Sequence, residues 1–219
     1  TLLGGVYRLT EQRARHQNAA VEKRIRDLET LQKIGRALTT SLDLDHVLGQ
    51  VVEAAVSLTG AEEGSLLLLD EQTGELIMRA AKNFDDQFVR TFRIRSEDSL
   101  AGQVMRTGQP ILIGADAPQK IKTAYLVRSL VYIPLRLRDQ VVGVLGVDNR
   151  TGGRLFSESD LGPLTMLADY AAIAIENARL YARAETERVK LDSILQNTED
   201  GVVVVDGASR LIMINDAAR

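Results

Sequence analysis

The hydrophobic period of this chain changes twice, and that order limits the folds open to it. The first sixty residues repeat apolar positions every three to four residues. From Ser65 to Asp148 the repeat becomes strand-like, and from about Ser157 to Gln196 it is helical again. Helix, largely antiparallel sheet and returning helix together give an α+β chain. Its sheet has helices packed on it and long N- and C-terminal helices at its flanks.

Each piece carries its own punctuation. The stretch "SLDLDHVLGQVVEAAVSLTG" reads as a capped helix with Leu48, Val51, Val52, Ala55 and Leu58 along one side and Gly60 just past its end. "SLLLLD" is apolar on both faces, as a central strand is. "EQTG" turns the chain into "ELIMRAAK", and "RTFRIR" alternates, with Phe92 and Ile94 on one side. "SEDSLAGQVMRTG" is a short helix capped at Ser96 or Ser99 and stopped by Gly108. "PILI" is a short strand, and Gly114–Arg128 is a long connection. "SLVYIPL" and "QVVGVLGVD" form the last two strands of the sheet. Pro134 is expected at a strand end or a bulge, and Gly143 and Gly146 leave space on opposite faces, for close packing or for something bound.

The flanking helices exceed what one core requires. In the first, Tyr7, Ala14, Val21, Ile25 and Leu28 follow coiled-coil spacing, with Asn18 at an inward position where asparagine fixes alignment between helices. Its arginines and lysines are interleaved with acids, which makes a solvated face and not a DNA-binding region. In the second, Leu164, Leu167, Ala171, Ile175 and Ala178 form an inner stripe. The pattern continues through "YARAETERVKLDSILQ" to a hairpin signal centred on Asp206-Gly207. The reading is a homodimer through both flanking helices.

Composition removes several functions. None of the 219 residues is cysteine, so disulfides, thiolate nucleophiles and zinc-thiolate sites are out, and a reducing cytoplasm is the natural setting. The net charge of −3 argues against general affinity for nucleic acid or acidic membranes. No apolar run reaches the roughly 18 residues that span a bilayer. Phosphate-cradling, dinucleotide, zinc-protease and serine-hydrolase motifs are absent, and His16 and His46 alone offer little to catalysis or to a multi-histidine metal site. The doublets Asp85-Asp86 and Glu62-Glu63 read as solvated turns, because neighbouring side chains point apart.

The set "LQKIGRALTTSLDLDHVL", "GAEEGSLLLLDEQTGEL", "SLAGQVMRTGQPILI", "RSLVYIPLR" and "VVGVLGVDNR…FSESD" resembles the GAF domain family of sensory modules. The tail "LDSILQNTEDGVVVVDGASRLIMINDAA" resembles the opening of a PAS domain, and "LLGGVYRLTEQR" is faintly similar to the last helix of a response-regulator receiver. The resemblance implies a signalling helix over residues 1–29, a GAF domain over 30–180, a linker helix over 181–197 and a truncated PAS domain over 198–219. It also implies a bacterial sensor protein of the histidine-kinase type. Some cyclic-nucleotide-binding relatives carry Asn, Lys or Arg, then Phe and Asp-Glu. Here Asn149, Arg150, Phe156 and Asp160 match, with Leu161 in place of the Glu. That run reads as a structural joint: Arg150 and Asp160 pair across a turn over Phe156. By the same resemblance a ligand cavity lies on one sheet face, roofed by Lys82–Phe88 and Gly114–Arg128. Lys120, Lys122, Thr123, Tyr125 and Arg128 are the candidates to hold an anion or nucleotide there. A cyclic nucleotide fits this expectation, whereas a bilin or a sulfoxide-reducing thiol would need the missing cysteine. The leading expectation is a non-catalytic sensory and signal-relay module with a small-molecule effector. The alternative is a purely structural coupling module that binds no small molecule.

Overall fold

In a computed structural model of the chain, residues 43–95, 97, 99–114, 119–120, 126–152, 154–198 and 200–219 are described. The expected N-terminal signalling helix, with its seam and Asn18, lies outside them. The chain divides into two units, the first ending at Ile175 and the second covering Glu176–Arg219.

The first unit begins with α1 (Leu44–Thr59). The Asp43 side chain accepts the His46 amide at its start, and Gly60, in the left-handed region at φ 65°, closes its end. Then come β1 (Glu63–Leu69), β2 (Glu75–Lys82), the single-turn α2 (Asp86–Thr91) and β3 (Arg93–Arg95). Helix α3 (Leu100–Thr107) is capped by Ser99 and stopped by Gly108 at φ 64°. Strand β4 (Ile111–Ile113) follows, and Gln119–Lys120 (β5) pairs with Leu126–Val127 (β6). The unit closes with β7 (Ser129–Leu137), β8 (Gln140–Asn149) and the start of α4 (Glu158–Gln196).

Six strands form one antiparallel sheet in the order β3-β2-β1-β8-β7-β4. The doubly apolar β1 is internal, as its composition requires. Pro134 lies within β7 opposite Val144, one residue before the bulge at Leu135/Arg136. Strand β4 pairs only with Leu130–Tyr132, so the proline's other flank carries no ladder to break.

Alternation along the strands feeds two cores. Leu66, Val131, Ile133, Leu145 and Val147 face α1 and the inner stripe of α4, where Leu164, Leu167, Ala171 and Ile175 are buried. Leu67, Leu130, Tyr132 and Val144 point to the other face, against Ala101 and Val104 of α3 together with Phe92 and Ile94. Both faces are therefore covered, and polar groups gather at one corner where β1 begins and β8 ends.

The second unit contains the rest of α4 and the hairpin of β9 (Val203–Val205) and β10 (Leu211–Ile214), with a short 3-10 turn at Asp216–Ala218. Asn215 is buried there; it accepts the Val202 amide at 2.7 Å and donates to the carbonyls of Leu195 and Asp200. Among the described residues no helix is long and apolar enough to cross a membrane.

Candidate functional site

The polar corner is built around Asn149, the last residue of β8 and fully buried. Its Oδ1 accepts the Glu62 amide at 2.7 Å, and its Nδ2 donates to the Arg154 carbonyl at 2.7 Å. One side chain thus fixes both the entry to β1 and the turn that leaves β8. The Glu62 carboxylate returns the contact by accepting the amides of Arg150, Thr151 and Gly152 at 2.7, 3.2 and 2.7 Å. Burial alone would raise its pKa, but the three amides outweigh that and hold it below the usual carboxylate range.

Arg154 joins this turn to both helices. Its Nε donates to the carbonyl of Thr59, the last residue of α1, at 2.9 Å. Its guanidinium grips Asp160 in the first turn of α4 with both terminal nitrogens, one of them at 2.9 Å. Asp160 also accepts the Ser157 amide at 2.9 Å, a reciprocal helix cap. Burial pushes the Asp160 carboxyl upward, yet Arg154 and the cap leave it net lowered. Phe156, just ahead, is buried in the core shared by α1 and α4, and its amide donates to the buried Ser129 hydroxyl at 3.0 Å.

The expected pair of Arg150 with Asp160 is therefore corrected: Asp160 belongs to Arg154, and Arg150 binds Glu63 at 2.8 Å. Strand parity explains the difference. Arg150 shares the face of Asp148, where Glu63 stands directly opposite on β1, while Arg154 comes after the turn, beside the helix start. The solvated-turn reading of Glu62-Glu63 is also corrected. The two residues do point apart, but Glu62 points into the amide turn and Glu63 into the sheet.

Asp148 and Glu63 form a buried cross-strand carboxylate pair, and Asp148 is only 4% exposed. Its Oδ1 has no hydrogen-bond partner among the described residues. Burial first, and the Glu63 charge second, push its pKa up to about 7; burial raises Glu63 as well, against the pull of Arg150. Arg150 also lies over the Phe84 ring at 5.7 Å, and Phe84 stacks on Phe88. At neutral pH the pair can hold one shared proton, so it both offers and accepts hydrogen bonds.

Of the ligand candidates, Lys122, Thr123 and Tyr125 lie outside the described residues. Lys120 is placed by its backbone in the β5–β6 ladder. Arg128 is exposed, and its amide donates to the Asn149 carbonyl at 2.8 Å, beside the polar corner. Of the two uses expected for the room over the glycines, close packing is the one observed: Gly146 meets a side chain, and Gly143 meets backbone and side chains. A Cβ on Gly146 would lie 2.5 Å from the Tyr132 ring, and one on Gly143 would run first into the backbone carbonyl of Leu67 on the neighbouring strand, then into Leu68 at 2.7 Å and Leu135 at 2.9 Å. No group of three or more His, Cys, Asp or Glu side chains able to hold a metal occurs among the described residues. Glu62, Glu63, Asp148 and Arg154 carry this corner, although the sequence marks Glu62 and Glu63 only as a solvated doublet and singles out neither Asp148 nor Arg154. Strand parity marks Asp148 and Arg150 as sharing a face; nothing local marks Glu62.

Residues 43–177 match the family model described as GAF domain. The chain is 24% identical over 192 residues to "Probable 3',5'-cyclic phosphodiesterase pde-5" of Caenorhabditis elegans, covering 80% of this chain and 26% of the relative. It is 26% identical over 173 residues to the nif-specific regulatory protein of Azospirillum brasilense, covering 74% and 27%. The chain thus spans about a quarter of the length of these curated relatives. Among solved structures, the GAF domain of a phosphoenolpyruvate-protein phosphotransferase from Coxiella burnetii superposes with a TM-score of 0.64. It shares 21% identity and covers 72% of this chain and 96% of that one.

Proposed function

The chain belongs to the GAF domain family, and on that premise we propose that it is a non-catalytic sensory and signal-relay module. In this reading the domain's state is passed through paired helices to an output domain of a larger bacterial signalling protein, such as a histidine kinase. Residues 198–219 are then the opening of a PAS domain. The likeness to a nif-specific regulatory protein and to a phosphodiesterase, each about four times longer than the matched segment, supports a place inside such multidomain regulators.

The observation that carries the reading is the Arg154 bridge. One guanidinium holds the last carbonyl of α1 and the first turn of α4 at once, so displacing either helix end strains the grip on the other. A shift of the β8 end, where Asp148, Asn149 and Arg150 lie, reaches the same turn through Asn149 and Glu62. Hydrogen exchange on Arg154→Ala tests this. Relay predicts faster exchange at the end of α1 and at the start of α4 together; loosening at one end only overturns it.

The effector in this reading is a small molecule held on the second sheet face near Lys120, Lys122, Thr123, Tyr125 and Arg128, with a cyclic nucleotide as the specific version. Calorimetric titration with cyclic AMP and cyclic GMP tests it; no heat with either disposes of the cyclic-nucleotide version. The filled space over Gly143 and Gly146 favours a second reading, a structural coupling module with no small-molecule ligand. Any ligand-dependent rise in melting temperature would overturn that one.

A further inference from the structure

Two arginines of the polar corner each lie over a phenylalanine, and they serve different carboxylates. Arg154 stands over the Phe156 ring at 6.0 Å and holds Asp160. Arg150 stands over the Phe84 ring at 5.7 Å and binds Glu63 at 2.8 Å. Phe84 in turn begins an aromatic stack. Phe88 of α2 lies 5.7 Å from it and nearly parallel, and Phe92 lies 5.4 Å from Phe88. Arg150 therefore touches both the buried carboxyls of the sheet and the end of the stack that runs onto α2.

The charges around Arg150 do not balance. Glu63 and Asp148 stand directly opposite each other on β1 and β8, 8% and 4% exposed. The other neighbours add no cation to the pair among the described residues. Leu130 of β7 is opposite Asp148, and Lys82 of β2, opposite Gly64, is held by Glu53 at 2.8 Å. The Glu62 carboxylate is spent on three amides, Asp85 caps α2, and Asp86 and Arg128 are exposed. Two carboxylates against one guanidinium leave an excess negative charge where little water reaches, and a proton cancels it.

We propose that the Glu63–Asp148 pair is a proton-binding site that sets the position of Arg150. With one proton on the pair, Arg150 rests on Phe84; without it, Arg150 is drawn off the ring toward Asp148. The path is short, because Asp148 and Arg150 are two residues apart on one strand and share a face. Asp148 Oδ1, with no hydrogen-bond partner among the described residues, is the acceptor waiting there. Once ionised it offers a charge-assisted hydrogen bond, whereas the ring offers only its quadrupole. The upward push on Asp148, to about 7, puts this exchange in the neutral range. Arg154 takes no part, so the relay reading stands or falls separately.

The chain has only four phenylalanines, so carbon-13 labelling of their rings gives a readable NMR spectrum of the unaltered protein, with Phe84→Leu identifying the Phe84 signal. The expected result on raising the pH is a shift of the Phe84 signal with its midpoint near 7 and a still Phe156 signal. In Asp148→Asn the Phe84 signal should keep its low-pH position throughout. In Arg150→Gln it should ignore pH, while the labelled Asp148 carboxyl still titrates, at higher pH because the cation that favoured its charge is gone. His16→Gln and His46→Gln should leave the transition unchanged. A Phe84 signal that does not move overturns the proposal. So does a shift that survives Asp148→Asn or Arg150→Gln, one that disappears with either histidine, or one that Phe156 shares, which would mark a general loosening.

Discussion

Replacing Asp148 by asparagine preserves the side chain's shape and removes its ionisation, so it isolates the buried carboxylate pair. In the folded chain Asp148 holds its proton up to about pH 7, against an ordinary value of 3.8. Because the folded value is the higher one, unfolding between those limits releases a proton. Stability therefore falls as pH rises through that window and levels off above it. One proton is worth about 1.4 kcal/mol per pH unit, so the native chain should lose about 2 kcal/mol between pH 5 and pH 7. The lowered carboxyls, Glu62 and Asp160, act with the opposite sign, and their contribution is lost at more acid pH, outside this window. Urea unfolding followed by circular dichroism at pH 5, 6, 7 and 8 gives the comparison. The Asp148→Asn variant should fall less steeply across the range, keeping only what the raised Glu63 carboxyl contributes, and be the more stable of the two at pH 8. Parallel pH profiles would refute the account of a carboxyl kept protonated by burial and by Glu63.

Asn149→Ala removes two buried hydrogen bonds and leaves the Glu62 amide unsatisfied, which should cost about 2–4 kcal/mol in urea unfolding. Glu62→Gln should cost about 1–2 kcal/mol at pH 7 through weaker bonds to three amides. Because Glu62 is lowered in the fold, that difference should disappear as pH falls through the acid range; a difference constant down to pH 3 would deny its electrostatic origin. Gly146→Ala drives a methyl into the Tyr132 ring and should cost about 1–3 kcal/mol, most of it recovered by adding Tyr132→Leu; additive costs in the double-mutant cycle would show that the ring is not what fills that space.

What the sequence made legible was local. The Gly60 and Gly108 stops, a Ser99 cap, the internal position of β1 and the inner stripe of α4 each depend on residues within a turn or two of one another, and the fold shows them. The corner was legible only in outline. Asn149, Arg150, Phe156 and Asp160 do meet there, but partner choice depends on which face each residue takes after a strand ends. Arg150 and Arg154 lie on opposite sides of the turn, and a motif that names one arginine does not reveal that the other takes Asp160. Glu62 and Glu63 looked solvated because nothing near them in the chain binds them; their partners come from β8. The glycines of β8 signal room for close packing or for something bound, and the neighbours that make it close packing, Tyr132 at Gly146 and Leu67, Leu68 and Leu135 at Gly143, are identified only by the strand pairing.

In the proposed function this GAF domain senses a small molecule and relays its state through paired helices. Native mass spectrometry of the gently purified chain, followed by the same sample denatured, tests it most directly. The account predicts twice the mass of the 24.0 kDa chain, with a further component that leaves on denaturation. A bare monomer would contradict it on both counts.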